Sequence, residues 1–218
     1  MKSNSRHFTQ NGFTLVALLV IILVLALLAA MLLPALSGAK GKSMRIQCVN
    51  NLKQCGLAFR IWEGYNGDQY PMDVPMARGG TKEYDTGAGT FRHFQVMSNE
   101  LSTPKILVCP ADTRTAANNF TRLNNQNISY FVGLDAKDSN PQMLLDGDRN
   151  ITADNEPVNG ILKLVPGQRV SWTQDIHVNQ GNIGLSDGSV QQCSDSALQN
   201  ALLNSGAPAN TWRISLPE

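Results

Sequence analysis

The chain has 218 residues, is 42% hydrophobic and 16% charged, and carries a formal net charge of +1. That length suits one medium domain with an appendage. The low charge content excludes a heavily charged disordered chain, and the near-neutral balance argues against a polyanion binder. The average conceals a split: residues 1–70 hold seven Lys and Arg but only two Asp and Glu. A basic, hydrophobic N-terminal part precedes an acidic remainder.

From Phe13 to Leu33 the chain runs 21 residues without a charge and with one polar residue, Thr14. As a helix rising about 1.5 Å per residue it spans roughly 30 Å, the thickness of a bilayer core. A secretory signal peptide has a shorter apolar stretch and a small-residue cleavage site, which Ala29-Ala30-Met31 matches poorly. A soluble helix this apolar needs a core on all sides. Membrane insertion is the expectation. Lys40, Lys42 and Arg45 follow the span, where lipid headgroups are a better partner than nucleic acid.

The junction Gln10-Asn11-Gly12-Phe13-Thr14-Leu15-Val16 is a short polar leader, a Gly, and a Phe opening the apolar helix. It resembles the signal of type IV pilins and type II secretion pseudopilins. The resemblance implies cleavage between Gly12 and Phe13 by a prepilin peptidase, N-methylation of Phe13, and assembly with other pilin or pseudopilin subunits. Pro34 stands where that family commonly has a proline, and a proline there bends or loosens a helix. The family usually has Glu four residues after the Phe; here Ala17 stands instead. A carboxylate in lipid requires a partner, so Ala17 removes one signal of ordinary subunit packing and suits a minor or tip subunit.

Cys48, Leu52, Cys55, Phe59 and Trp62 recur at steps of three and four, one apolar helical stripe expected to pack on the remainder of the chain. Gly64-Tyr65-Asn66-Gly67-Asp68 is a stop. The expected organisation is a leader over 1–12, a membrane and stem helix over 13–63, and a head over 64–218. The segment Cys48 to Ala58 resembles the stem of a pilin-like family found mainly in planctomycetes and verrucomicrobia, named for a His, nine residues, then Asp-Gly. His177 followed by Asp187-Gly188 has that spacing, and Cys109-Pro110-Ala111-Asp112 and Ser129-Tyr130-Phe131 resemble further blocks. The implied fold is α+β, a long N-terminal helix on a small antiparallel head.

In the head, short apolar runs between turn signals predict strands at 106–108, 129–133, 143–145, 161–165, 170–172 and 182–185. Asp187-Gly188 predicts a hairpin with a two-residue primed turn. A short helix is expected over 196–204 with Asp195 as N-cap. Residues 81–90 and 112–127 read as surface loops.

Cys48, Cys55, Cys109 and Cys193 form no CxxC, and no His lies close in sequence, so a zinc-knuckle site is not expected. Cys48 and Cys55 are roughly 10 Å apart on a helix, too far to bridge. An exported head permits disulfides. The blocks resembling the family suggest Cys48 with Cys109, leaving Cys55 with Cys193; four buried free thiols is the alternative. Asp146 and Asp148, in an Asp-Gly-Asp segment, suit a calcium loop, for which pseudopilins give precedent, or a solvated turn. Gly184-Leu185-Ser186-Asp187-Gly188 fits the G-x-S-x-G elbow of hydrolases, but no His follows Ser186. His177 reads as a structural hydrogen-bonding residue. A non-catalytic pilin-like subunit is the expected function, and a membrane-anchored, non-polymerising binding protein the alternative.

Overall fold

The computed structural model describes residues 14–85, 89–165, 167–206 and 211–218, with side chains at 33–37 left out. The Gly12–Phe13 junction lies outside the described residues. Helix α1 runs Leu15–Tyr65, through Pro34. Its apolar part, Leu15–Leu32, is long and apolar enough to cross a membrane, and none of that stretch is buried. The chain divides into two units, Met1–Lys40 and Gly41–Glu218.

Within the second unit, α1 ends where Gly67 turns left-handed (φ 70) and the Asp68 N–H reaches back to the Glu63 carbonyl. This is the turn that closes many helices. The stripe is fully integrated: Cys48, Leu52, Cys55 and Phe59 have no exposure and Trp62 only 6%. Burying Leu52, Phe59 and Trp62 contributes on the order of 2 kcal/mol each. Polar contacts fix the rotation of this segment: Asn51 donates to the Val108 carbonyl and Arg60 to the Ser186 carbonyl.

Two short helices follow, α2 at Thr90–Gln95 and α3 at Ser98–Leu101. With Met97 between them they supply buried Phe94, Met97 and Leu101, and Thr81 and Thr90, the ends of a stretch expected to be a surface loop, are buried as well. The strand expected at 106–108 is instead a 3-10 turn, Pro104–Leu107, because the Pro at its start has no N–H for a ladder and Thr103 caps it. The strands are β1 Tyr130–Gly133, β2 Leu144–Asp148, β3 Ile151–Ala153, β4 Ile161–Leu164, β5 Val170–Trp172, β6 Gly181–Leu185, β7 Val190–Cys193 and β8 Trp212–Ser215. Six form one antiparallel sheet in the order β4-β8-β1-β2-β6-β7, and β3 pairs with β5. Strands β1, β2 and β6 are buried on both faces. The mixed helix and antiparallel sheet agree with the expected α+β class.

Two local expectations need correction. Helix α4 covers Asp195–Asn204, and its N-cap is Ser194, whose hydroxyl accepts from the Ala197 N–H. Asp195 is occupied elsewhere, accepting from the Trp172 N–H. The β6–β7 turn holds three residues, Ser186 to Gly188, between the paired Leu185 and Ser189, not two. The Gly188 N–H donates to the Leu185 carbonyl, the Leu185 N–H to the Ser189 carbonyl, and Gly188 alone is left-handed (φ 82). That is a type I turn with a glycine bulge. Ser186 leaves the ladder because its N–H donates to the Met143 carbonyl.

His93 of α2 is fully buried; its Nδ1 contacts Thr81 Oγ1 at 2.8 Å and its Nε2 has no partner among the described residues. Burial pushes its pKa down to about 4, against a small opposing pull from Asp85. An imidazolium here would hold an N–H with no acceptor.

Two outcomes are expected. Gly188→Ala lowers unfolding free energy by about 1–2 kcal/mol in denaturant titrations, since a Cβ is strained at that φ. His93 in the unfolded chain titrates at about 6.5, above its folded value, so its contribution is full above that pH and is lost as pH falls toward 4. The stability difference between wild type and His93→Gln should therefore shrink between pH 7 and pH 4. A pH-independent difference would contradict the assignment.

Candidate functional site

The last residue of β2, Asp148, has no exposure, and the two residues after it build the surroundings of its carboxylate. Arg149 makes a two-pronged ion pair with Asp112, Nε–Oδ2 at 2.8 Å and Nη2–Oδ1 at 2.9 Å. Asp112 closes a turn with Cys109, its N–H donating to the Cys109 carbonyl. The Arg149 fork thereby holds the Cys109-Pro110-Ala111-Asp112 turn at the end of β2. Asn150 directs its side-chain NH2 at the carbonyls of Thr173, Ile176 and Gln180, and so holds the 173–180 loop. Within that loop His177, Val178 and Asn179 are all left-handed, at φ 55, 51 and 55. Three such residues in a row cost about 1–2 kcal/mol each, and Val178 is β-branched and 72% exposed. The unfavourable turn sets His177 inward, its side chain 3% exposed.

Four side chains from distant parts of the chain meet here. Cys48 from α1, Cys109, Asp148 and His177 place one thiol, carboxylate or imidazole atom each within 4.8 Å of one another. The Cys48 thiol donates to Asp148 Oδ1 at 3.0 Å and lies 3.5 Å from the Tyr130 hydroxyl. Cys109 Sγ is 3.3 Å from His177 Nε2, and that nitrogen is 3.6 Å from Asp148 Oδ2. Asp148 Oδ2 also accepts from the backbone and side-chain N–H groups of Asn182, both at 2.8 Å.

The electrostatics follow from burial and crowding. Burial first, then Cys109 and Asp148, pushes the Cys48 thiol up. The nearby Cys48 side chain pulls the Cys109 thiol down to about 5, with burial resisting and His177 assisting. Burial, then the Cys109 charge, pushes Asp148 up to about 7. At His177 burial opposes the charged form, but the Cys109 contact and the Asp148 charge outweigh it and the pKa rises.

All four cysteines are buried free thiols, so neither Cys48–Cys109 nor Cys55–Cys193 is bridged. Cys48 and Cys109 do meet, but each sulfur is engaged with Asp148 or His177. Cys55 lies near Asp146, whose charge acts on it, while Arg45 acts on Cys193. Asp146 and Asp148, read from the sequence as a calcium loop or a solvated turn, both lie in the fully buried strand β2. Burial holds the Asp146 carboxyl well above the usual carboxylate range, and neither of its oxygens has a partner among the described residues.

His177 and Asp187-Gly188 do not converge on one site. His177 joins the cysteine–aspartate cluster. Gly188 lies against α1, where a Cβ would sit 3.6 Å from Arg60 Cδ, and Gly56 faces it. Ser186 is fully buried and its hydroxyl donates to the Met143 carbonyl. No local spacing in the sequence marks the four-residue cluster, which required the fold to assemble it.

The left-handed turn generates a test. Val178→Gly should raise the unfolding free energy by about 1 kcal/mol, the reverse of the usual effect of glycine, because it releases β-branched strain. A loss of stability in denaturant titrations would show that the turn is unstrained. Comparison of the chain with protein-family models, with curated proteins and with solved structures returned no match.

Proposed function

We propose that the chain is a pilin-like subunit, a non-catalytic protein anchored by Leu15–Leu32 that acts through helix packing and head contacts in a type IV pilus or type II secretion-like filament. One observation carries the reading. A single helix, Leu15–Tyr65, has an unburied apolar first part of membrane length and a later stripe whose residues are core. An exposed apolar run of this length needs either lipid or the same run of neighbouring subunits. The Gly12-Phe13 junction supports maturation by a prepilin peptidase, with Phe13 methylated, at the inner membrane and with the head on its outer side. Ala17 in place of the usual Glu favours a second reading, a membrane-anchored binding protein that does not polymerise, or a tip subunit.

Intact mass of the protein from its native membrane tests the processing. The expected mass is that of residues 13–218 plus one methyl group. An uncut chain, or cleavage beyond the apolar run, overturns the pilin-like reading. Recovery of the processed chain in sheared surface fibres supports the filament role. Retention in membranes as a monomer selects the anchored binding protein.

A further inference from the structure

We propose that Cys48, Cys109, Asp148 and His177 form a closed tetrahedral site for one zinc-type divalent cation, which fastens helix α1 to the end of β2 and to the 173–180 loop. The donor set is two thiolates, one imidazole and one carboxylate. That mixture of soft and borderline ligands selects zinc over calcium or magnesium, which take oxygen ligands. With zinc–sulfur bonds near 2.3 Å and zinc–nitrogen or zinc–oxygen bonds near 2.0–2.1 Å, the edges of a tetrahedron are about 3.3–3.8 Å. Here Cys48 Sγ is 3.0 Å from Asp148 Oδ1, Cys109 Sγ is 3.3 Å from His177 Nε2 and that nitrogen is 3.6 Å from Asp148 Oδ2, and one donor atom of each side chain lies within 4.8 Å of the other three. Small side-chain movements bring all four atoms onto one ion.

The surroundings fit the same purpose. Asp148 is oriented by two hydrogen bonds from Asn182, the outer support that metal carboxylates need. Cys109 is fixed by the Arg149–Asp112 fork, and His177 by Asn150 and by a left-handed turn retained despite its cost. With both sulfurs as thiolates, Asp148 as carboxylate and His177 neutral, the bound centre carries a net charge of −1. Arg45 lines the same surface cleft as His177, and its charge acts on that residue. A disulfide between Cys48 and Cys109 would instead remove the thiol that serves Asp148 Oδ1. Three of the four ligands have no exposure, and four protein ligands leave no open position. The site is therefore structural.

This inference does not depend on the filament reading. The test uses the full chain in detergent, reduced and stripped with a chelator, then titrated with zinc against a chromophoric competitor and, separately, with cobalt(II). One equivalent per chain is expected. Cobalt should give strong visible bands of tetrahedral geometry and a near-ultraviolet thiolate charge-transfer band, and zinc should raise the melting temperature. His177→Gln and Cys109→Ser should each weaken zinc affinity more than about tenfold, the least that loss of even a supporting residue costs. Cys193→Ser should leave affinity unchanged. Sub-stoichiometric uptake, a weak octahedral cobalt spectrum, or a Cys48–Cys109 disulfide in protein mapped directly from its native membrane overturns the proposal. Should a ligand variant fail to fold by circular dichroism, the wild-type cobalt spectrum alone decides.

Discussion

A carboxylate without solvent has to be matched inside the protein, and the match made at Asp148 organises much of the head. Transferring an isolated charge into the interior costs several kcal/mol even after relaxation. Asp148 is served instead by Asn182, by the Cys48 thiol and by His177. Those partners arrive on α1, on β6 and on the 173–180 loop. The residues that bring the others follow Asp148 directly, Arg149 holding the Cys109 turn and Asn150 holding the His177 loop. Three successive residues thus carry a ligand and two braces, and the geometry of the cluster is set by the end of one strand.

Much of the architecture was legible because it rests on local rules. The stripe Cys48, Leu52, Cys55, Phe59, Trp62 follows helical periodicity, and burial of one face is its direct consequence. Strand β5 falls on 170–172 as its β-branched and aromatic content predicts. Errors came where tertiary contacts override local signals. Asp195 was expected to cap α4, but its oxygen is claimed by the Trp172 N–H and Ser194 takes the position. Asp146-Gly147-Asp148 has turn composition, yet the ladder with β1 and β6 holds it as central strand. Helices α2 and α3 were missed because each is too short to show a period, although Phe94, Met97 and Leu101 mark an apolar face.

The cluster itself shows the limit of sequence reading. All four of its residues draw attention in the sequence, but for separate reasons: two cysteines as a disulfide, an aspartate in a loop, a histidine in a spaced motif. Zinc ribbons are recognisable because their ligands come in close pairs. Here the ligand atoms are contributed by a helix, a turn, a strand and a strained loop, and only chain crossing brings them within 4.8 Å. The motif His177…Asp187-Gly188 then has a geometric meaning. Its two ends flank strand β6: His177 lies within 4.8 Å of Cys48 of α1, and Gly188 lies against Gly56 and Arg60 of the same helix.

Those two contacts address a problem that hydrophobic packing leaves open. An apolar stripe repeating at three and four residues presents similar faces when a helix slides by one turn, because burial is nondirectional. Hydrogen bonds are not forgiving in this way, since a displaced buried donor or acceptor bears its full desolvation cost. Sliding α1 by a turn within the Gly41–Glu218 unit would carry Cys48 away from Asp148, Asn51 from the Val108 carbonyl and Arg60 from the Ser186 carbonyl. The apolar residues therefore supply most of the attraction between helix and sheet, and the polar contacts select one register from several of similar burial. A cation held by Cys48 and three ligands off the helix would sharpen that selection, because coordination tolerates displacement less than any of them.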